Sequence, residues 1–190
     1  MTPTSAKFVR GIRGTDDILH HPFPQVAFIG RSNVGKSSTI NALLNERDLV
    51  KVGDKPGKTT EVNFFLVNGK YYFVDLPGYG FAESSLKGVA KIGKLIFWYL
   101  TKPEPKPLKV VLILDVKAGL TDFDAQVLDI LRKQGHRYLI VANKMDKLNQ
   151  RDLAAQLTAI RQAAHDEHIF AYSAVDRKKT AELLGEILSA

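Results

Sequence analysis

The chain contains no cysteine among its 190 residues, which excludes disulfide bonds, thiolate nucleophiles and any zinc or iron–sulfur site with cysteine ligands. Long apolar runs are also missing. The two longest, 95–100 and 110–114, are far shorter than the ~18 residues of a membrane-spanning helix. The first residues have no apolar core behind a basic start, so we predict no signal peptide and a cytoplasmic protein.

Acidic residues are outnumbered by basic ones. The 27 Lys and Arg residues against 20 Asp and Glu residues give a formal net charge of +7, and five of these seven units lie in residues 1–95. A surplus of this size suits a polyanionic partner such as nucleic acid or an anionic membrane, although it can also serve solubility alone.

Short β-rich apolar runs alternate with longer amphipathic stretches, which predicts βαβ units and a mainly parallel sheet with helices on both faces. The predicted strands are 26–29, 62–67, 71–75, 109–115, 137–143 and 169–172. The predicted helices are 36–46, 85–101, 122–134, 150–165 and 177–188.

One pair of strands differs from this pattern. Asn68 and Gly69 join strands 62–67 and 71–75, and this dipeptide favours a type I′ hairpin turn. We therefore predict an α/β, three-layer fold whose six-stranded, mainly parallel sheet has one antiparallel edge strand. Residues 1–22 are predicted to be an extension packed on a single domain, 23–190.

Residues 30–37 match the phosphate-binding loop G-x-x-x-x-G-K-[ST] in full and lie between a predicted strand and a predicted helix. The glycines let successive N–H groups point at phosphate oxygens, at the positive end of the following helix. Lys36 would reach the β- and γ-phosphates, and the Ser37 hydroxyl would bind Mg²⁺. The predicted fold is therefore that of the P-loop NTPases.

Residues 143–146, Asn-Lys-Met-Asp, follow another predicted strand and indicate guanine as the base. Asp146 can accept both the N1–H and the N2 amine of guanine, a pairing that adenine cannot make. Asn143 would tie the base to the phosphate loop, and the Lys144 stem would lie along the ring. Alternatively, Asp146 is only a helix cap. After the last strand, Ser173 and Ala174 could present a backbone N–H to guanine O6.

Residues 75–78, Asp-Leu-Pro-Gly, end a hydrophobic strand with a carboxylate and a turn. Asp75 can hold a water of the Mg²⁺ shell, and the Gly78 N–H can touch the γ-phosphate, so loss of that phosphate would release the loop. An ordinary strand-ending turn is the alternative. In the loop 47–61, Thr59 and Thr60 are rival candidates for the hydroxyl that joins Mg²⁺ in the triphosphate state.

The phrases GRSNVGKSS, KPGKTTEVNFF, VDLPGYGFA and NKMD resemble the YihA/EngB family of bacterial ribosome-biogenesis GTP-binding proteins, over nearly the whole chain from about Phe8. The resemblance implies a Mg²⁺-dependent GTPase switch that acts in large (50S) subunit assembly and is needed for normal cell division and septation. By this likeness Thr59 takes the Mg²⁺ position, because it follows Pro-Gly-Lys. Asn143 departs from many members, which carry Thr there, but keeps the polar contact.

Three sets of candidate residues follow. The nucleotide-binding residues are Gly30, Arg31, Ser32, Asn33, Val34, Gly35, Lys36, Ser37, Ser38, Gly57, Lys58, Thr59, Thr60, Glu61, Asp75, Leu76, Pro77, Gly78, Asn143, Lys144, Met145, Asp146, Tyr172, Ser173 and Ala174. The Mg²⁺ residues are Ser37, Thr59 and Asp75. The catalytic residues are Lys36, Thr59 and Gly78.

The residue after Gly78 is Tyr79, and no glutamine occurs between Gly78 and Gln126. Ras-type switches use a glutamine there to orient the attacking water, and tyrosine cannot act in that way, so we predict slow GTP hydrolysis. Two aids are open. Asn33 stands where K⁺-activated relatives place an asparagine that binds the cation, and a physiological partner could complete the site.

Lys87, Lys91 and Lys94 share one face of the predicted helix 85–101. The roughly opposite face carries an apolar stripe of Val89, Ile92, Ile96, Tyr99 and Leu100. Phe97 and Trp98 are expected to be core anchors rather than a stacking platform. Lys51, Lys55 and Lys58 add charge to the first switch loop. This basic face predicts contact with rRNA phosphates of the large subunit or its precursor by a monomeric protein.

Three alternatives to this interpretation remain. The lysines could form an ordinary solvated helix face. The chain could be a membrane- or septum-associated signalling GTPase whose basic face binds anionic lipid, or an ATP-dependent small-molecule kinase, which would have no use for 143–146. We further predict that 50–60 is poorly ordered without nucleotide or with GDP.

Overall fold

The computed structural model describes residues 3–51, 61–80, 86–102 and 106–189. The strands are β1 Ala6–Ile12, β2 Gln25–Gly30, β3 Val62–Val67, β4 Tyr71–Asp75, β5 Lys109–Asp115, β6 Tyr138–Asn143 and β7 Ile169–Ala171. The α-helices are α1 Lys36–Leu44, α2 Leu86–Thr101, α3 Asp122–Lys133, α4 Gln150–Ala163 and α5 Thr180–Leu188. Short 3₁₀ helices span Asp17–His20 and Met145–Lys147.

The strands form one sheet in the order β1-β3-β4-β2-β5-β6-β7. Strand β3 runs antiparallel to both of its neighbours, β1 and β4, and the pairs from β4 to β7 are parallel. The predicted α/β class with a mainly parallel sheet is confirmed. Two details differ: the sheet has seven strands rather than six, and the antiparallel strand is second from the edge because β1 covers it.

Strand β1, which lies in the predicted N-terminal extension, escapes sequence analysis for a physical reason. It pairs with one neighbour only, and Ile12 is its single buried residue. The register shifts between Phe8 and Arg10, so apolar and polar residues do not alternate as they do in a strand with one buried face. Phe8 remains 52% exposed, although its ring meets Phe65 edge-on.

The hairpin between β3 and β4 forms as predicted. Asn68 and Gly69 have φ angles of 53° and 62°, and the Lys70 N–H donates to the Val67 carbonyl at 3.0 Å. Positive φ at both central residues is the requirement of a type I′ turn. Lys70 also belongs to the connection, because Val67 pairs with Tyr71.

The sheet is buried on both faces because alternate residues of its central strands face opposite layers. In β2, Ala27 and Ile29 belong to the core cluster that includes residues of α2, α3 and α4, whereas Val26 and Phe28 belong to the cluster of α1 and α5. All six residues of β2 are buried. Continuous apolar runs of this kind are typical of parallel strands covered by helices.

Helix α2 corrects the prediction for Phe97. The helix packs Ile96, Tyr99 and Leu100 into the core, with Trp98 partly buried against it, but leaves Phe97 52% exposed. Position 97 lies at the edge of the outer face, so its apolar character does not report burial. Among the described residues, no helix combines the length and apolarity needed to cross a bilayer.

Left-handed residues lie where two helices end earlier, and one begins later, than predicted. Asn45 with φ 54° follows α1, and His165 with φ 57° lies just beyond α4. Arg177 with φ 58° accepts a hydrogen bond from the Thr180 N–H and delays the start of α5. Strands β2, β4, β5, β6 and β7 run in one direction, so the loops that follow them meet at one edge of the sheet.

Candidate nucleotide-binding site

The loop 30–37 leaves β2 and curls into the start of α1. Gly30 lies so close to β5 that an added Cβ would sit 2.5 Å from the Ile113 carbonyl oxygen. Gly35 has φ 92° and faces the Asn143 side chain, which a Cβ would strike. No side chain caps α1 and its first turn holds no acidic residue, so the geometry suits an anion at the helix N-terminus.

Lys36, predicted to contact phosphate, and Asp75, predicted to hold a water of the Mg²⁺ shell, form an ion pair with each other. Lys36 Nζ donates to the Asp75 carboxylate, and the two side chains are only 8% and 2% exposed. Buried charges are costly unless they are paired, so each group stabilises the other in this structure. A ligand phosphate would compete with Asp75 for the Lys36 ammonium.

The loop after β4 rests directly on the phosphate loop. The Ser32 N–H donates to the Tyr79 carbonyl at 2.9 Å, and the Tyr79 N–H donates to the Gly30 carbonyl at 3.4 Å. At Gly78 an added Cβ would lie 3.0 Å from Ser32 Oγ. A side chain at position 78 would therefore crowd the close approach of the two loops.

The side chain of Tyr79 is committed to helix α3. Its hydroxyl donates to Asp124 Oδ1 at 2.6 Å, while Asp124 Oδ2 accepts from the N–H and the hydroxyl of Thr121 at 2.9 and 2.6 Å. Burial raises the pKa of the Tyr79 phenol well above its usual value, and the Asp124 carboxylate raises it further. The phenol is thus a fixed hydrogen-bond donor.

Asn143 joins three segments of the chain. Its Nδ2 donates to the Val34 carbonyl at 2.9 Å, and its Oδ1 accepts from the Ala174 N–H at 3.1 Å. The side chain is fully enclosed, with the residue 1% exposed. Asn143 therefore links the segment 143–146 to the phosphate loop. The Ala174 N–H, expected to face guanine O6, is engaged by Asn143.

Lys144 is held in a left-handed backbone conformation with φ 67°. Its Nζ donates to the Asn33 carbonyl at 2.6 Å and to Asp115 Oδ2 at 2.7 Å. The other oxygen of Asp115 accepts from the Lys117 N–H at 3.0 Å. Asp115 therefore both caps the loop after β5 and fixes the lysine stem.

Asp146 is oriented by the segment that follows β7. Its Oδ1 accepts from the Ser173 hydroxyl at 2.6 Å, and the Ser173 oxygen in turn accepts from the Asp176 N–H at 3.0 Å. The Met145 N–H donates to the Tyr172 carbonyl at 3.1 Å. These contacts hold the carboxylate at the same edge as the phosphate loop.

The structure brings together four of the predicted segments, 30–38, 75–78, 143–146 and 172–174. Gly57, Lys58, Thr59 and Thr60 lie outside the described residues, as do Lys55 and most of the segment 50–60. Glu61 is described, and its carboxylate pairs with Arg13 at 3.2 Å. Within the described ranges, no three His, Cys, Asp or Glu side chains cluster in a way that could hold a metal.

Comparison with known proteins agrees with this geometry. Residues 25–144 match the family described as "50S ribosome-binding GTPase". A protein of Lachnospira eligens named "Probable GTP-binding protein EngB" is 42% identical over 147 residues, which are 77% of this chain and 69% of that protein. A Geobacter metallireducens protein of the same name is 40% identical over 192 residues, or 98% and 92% of the two chains. The chain belongs to the EngB family of GTP-binding proteins.

As an EngB-family member the chain binds guanine nucleotides and hydrolyses GTP. The predicted family resemblance and the predicted GTPase activity are therefore confirmed. An EngB crystal structure aligns with a TM-score of 0.71 at 24% identity, over 86% of this chain and 96% of that one. Era in complex with MgGDPNP and nucleotides 1506–1542 of 16S ribosomal RNA aligns at 0.69 with 20% identity, over 87% and 56%. Both likenesses bear on the fold alone.

Two site residues have roles that sequence analysis missed. Asp115 is absent from the predicted site residues, although it pairs with Asn143 in the β5–β6 register and so ends its strand at the site edge. Asp115 and Asn143 both end predicted strands, and this common position is the signal from which Asp115 could have been identified. Ser173 was considered for its backbone, and nothing in the spacing indicates that its hydroxyl would reach Asp146 across 27 residues.

Proposed function

We propose that the chain is a Mg²⁺-dependent GTP switch of the cytoplasm that acts in assembly of the large ribosomal subunit and supports normal cell division. The main observation behind this proposal is that the loop after β4 lies on the phosphate loop. Further along the chain comes α2, whose outer face is basic. A change at the γ-phosphate can thus reach a surface suited to rRNA phosphates. The family description supports the same partner.

The nucleotide contacts that we propose follow from the side chains at the site edge. The N–H groups of 30–38 surround the phosphates, with Lys36 at the β- and γ-phosphates. Asp146, held by Ser173, accepts the two guanine N–H groups. Lys144, fixed by Asp115, lies along the base.

The residues suit Mg²⁺, which binds proteins through few ligands of this kind together with substrate phosphates. Ser37 stands in the first turn of α1 and Asp75 ends β4 beside the phosphate loop, and Thr59 is the proposed third residue. The bound ion would neutralise charge on the β- and γ-phosphate oxygens. Asp75 would exchange its Lys36 partner for the metal's water shell.

Slow hydrolysis by the isolated chain is supported by the position of Tyr79. Its phenol is buried and bonded to Asp124, so it offers no group to order the attacking water. We propose that K⁺ bound near Asn33 supplies positive charge instead. Turnover measured in KCl and in NaCl at equal ionic strength tests this, and equal rates would reject it.

The ribosomal role is tested by co-sedimentation. Purified protein is mixed with large subunits, small subunits or anionic liposomes, each with GDP or with a non-hydrolysable GTP analogue. We expect pelleting with large subunits in the GTP-analogue state and much less with GDP. Pelleting with liposomes alone would instead favour the membrane-associated switch, and no state-dependent pelleting would refute the proposal.

A further inference from the structure

Helix α2 has an outer face of unusual composition. The helix contains three lysines and no acidic residue in 16 positions. Lys91 and Lys94 are exposed, and neither forms an ion pair with any residue that the structure describes. Within the part of the chain that the structure describes, no acidic side chain neutralises their charge, which is therefore available to a polyanion.

Phe97 adds an exposed aromatic ring at the edge of this basic face. It lies three residues after Lys94, so the two side chains are neighbours on the helix surface. Ile96 and Leu100, which are 4% and 2% exposed, supply the contact with the core, while Phe97 is 52% exposed. Covering an apolar ring of this size with a partner would remove it from water, which is favourable.

An unpaired nucleotide fits both features at once. Single-stranded nucleic acids bind to proteins by stacking bases on aromatic rings while lysines contact the flanking phosphates. A regular duplex hides its base faces, so it could use the lysines but not the ring. The helix carries no acidic residue that would oppose the attraction of its lysines for phosphate.

We propose that the outer face of α2 binds a single-stranded segment of RNA, with one base stacked on Phe97 and adjacent phosphates on Lys91 and Lys94. The inference rests on the proposed function only in taking rRNA as the source of that segment. To the proposed function, the inference adds the base contact and the requirement that the RNA be unpaired.

Phe123 provides a matched control. It is also an exposed phenylalanine, at 47%, and lies on the neighbouring helix α3. Asp122 and Asp124 flank it, however, and its ring centroid lies 6.4 Å from that of Tyr79. The same loss of ring surface can therefore be made in an acidic setting where no RNA contact is expected.

The experiment measures fluorescence anisotropy of a labelled 12-nucleotide RNA of mixed sequence, single-stranded or annealed to its complement, with the full chain in the GTP-analogue state. We expect Phe97→Ala to weaken single-strand binding about tenfold and Phe97→Tyr to restore it. Phe123→Ala should bind as the wild type does. Thermal unfolding and nucleotide affinity of each variant verify that it is folded.

The lysines are tested by salt dependence. Lys91→Gln with Lys94→Gln should reduce the slope of log K against log salt by about 1.4, or ~0.7 for each phosphate contact with a single strand. Phe97→Ala should leave that slope unchanged. Single-strand binding by Phe97→Ala equal to that of the wild type would overturn the proposal.

Large-subunit co-sedimentation separates this inference from the proposed function. If Phe97→Ala loses subunit binding but keeps oligonucleotide binding, the ring contacts a ribosomal protein and the inference is wrong. If the wild type binds the single strand through Phe97 but never pellets with subunits, the inference stands and the ribosomal role fails.

Discussion

The charged residues of the site have hydrogen-bond or ion-pair partners within the chain. Lys36 pairs with Asp75, Lys144 with Asp115, and the Asp146 carboxylate accepts from a hydroxyl. Groups held in this way lose little further side-chain freedom when a ligand binds. At the scale of single residues, the proposed guanine contacts are therefore preorganised, whereas at the proposed phosphate end Lys36 would exchange its partner.

Asp115 is predicted to act on nucleotide affinity through Lys144. In Asp115→Asn the lysine keeps the Asn33 carbonyl but loses a charge-assisted partner at 2.7 Å. Hydrogen bonds to charged groups contribute about 1.5–3 kcal/mol, so we expect GDP affinity to fall about tenfold. Titration with a fluorescent GDP analogue measures this.

Asp129→Asn is the control for Asp115→Asn. Asp129 is 62% exposed and pairs with Arg132 at 3.8 Å on the surface of α3, so its loss should leave affinity unchanged. An unchanged affinity in Asp115→Asn would mean that the Asn33 carbonyl alone orients Lys144.

Sequence alone could identify those site residues that lie next to one another along the chain. The phosphate loop and 143–146 carry their meaning in neighbouring positions, so their spacing was sufficient. Asp115 lies 29 residues from Lys144, and Tyr79 lies 45 residues from Asp124. The order of the strands in the sheet decides which distant side chains meet, and a single sequence does not reveal that order.

At the scale of elements, helix α5 is held at its C-terminal end by a side chain from the sheet. Lys109 Nζ donates to the carbonyls of Glu186 and Ser189 at 2.6 and 3.0 Å. The last carbonyls of a helix lack partners within it, and a cation there also favours the helix dipole. Burial lowers the pKa of this ammonium, while the Glu186 carboxylate opposes that shift.

Lys109→Met is predicted to loosen α5. The free energy of unfolding should fall by about 2 kcal/mol, because the carbonyls lose a charged donor in a largely buried position. GDP affinity should not change, since Lys109 begins β5 at the end of the sheet opposite the site. Urea unfolding followed by circular dichroism tests the first expectation.

Lys106→Met serves as the comparison for Lys109→Met. Lys106 also donates to a carbonyl, that of Gln134 at 2.6 Å after α3, but its side chain is exposed. A change of no more than about 0.5 kcal/mol is expected there. Equal destabilisation by both variants would contradict the role of burial.

Element types were predictable where apolar periodicity reports burial. The central strands and the five helices follow from it, because they are covered by the core. Strand β1 and the outer face of α2 could not be predicted in the same way, since Phe8 and Phe97 are apolar and exposed. At both places the pattern is broken by a side chain that contributes little to the core.

At the scale of the whole molecule, buried phenols make the fold sensitive to alkali. Burial raises the pKa of Tyr99 as well as that of Tyr79. A phenol whose folded pKa lies above its unfolded value of about 10 stabilises the fold below that pH, and this stabilisation is lost as the pH rises further. Each such tyrosine costs about 1.4 kcal/mol per pH unit above pH 10.

Tyr79→Phe isolates one of these groups. At pH 8 the variant should be about 1 kcal/mol less stable than the wild type, because the bond to Asp124 is lost. By pH 10.5 the difference in stability between the two proteins should shrink. Ionisation of the phenol at this position in the unfolded chain lowers the stability of the wild type only. Urea midpoints at the two pH values measure it, and a constant difference would contradict the assignment.

The pairing of β1 with β3 bears on how the chain leaves the ribosome that makes it. Ala6 pairs with Val67 and Ile12 with Val62, so β1 is synthesised at least fifty residues ahead of the strand with which it pairs. During that interval its backbone groups are open to other chains. Lys7 and Arg10 lie within this strand, and like charges of this kind oppose premature edge-to-edge association until translation has passed the hairpin.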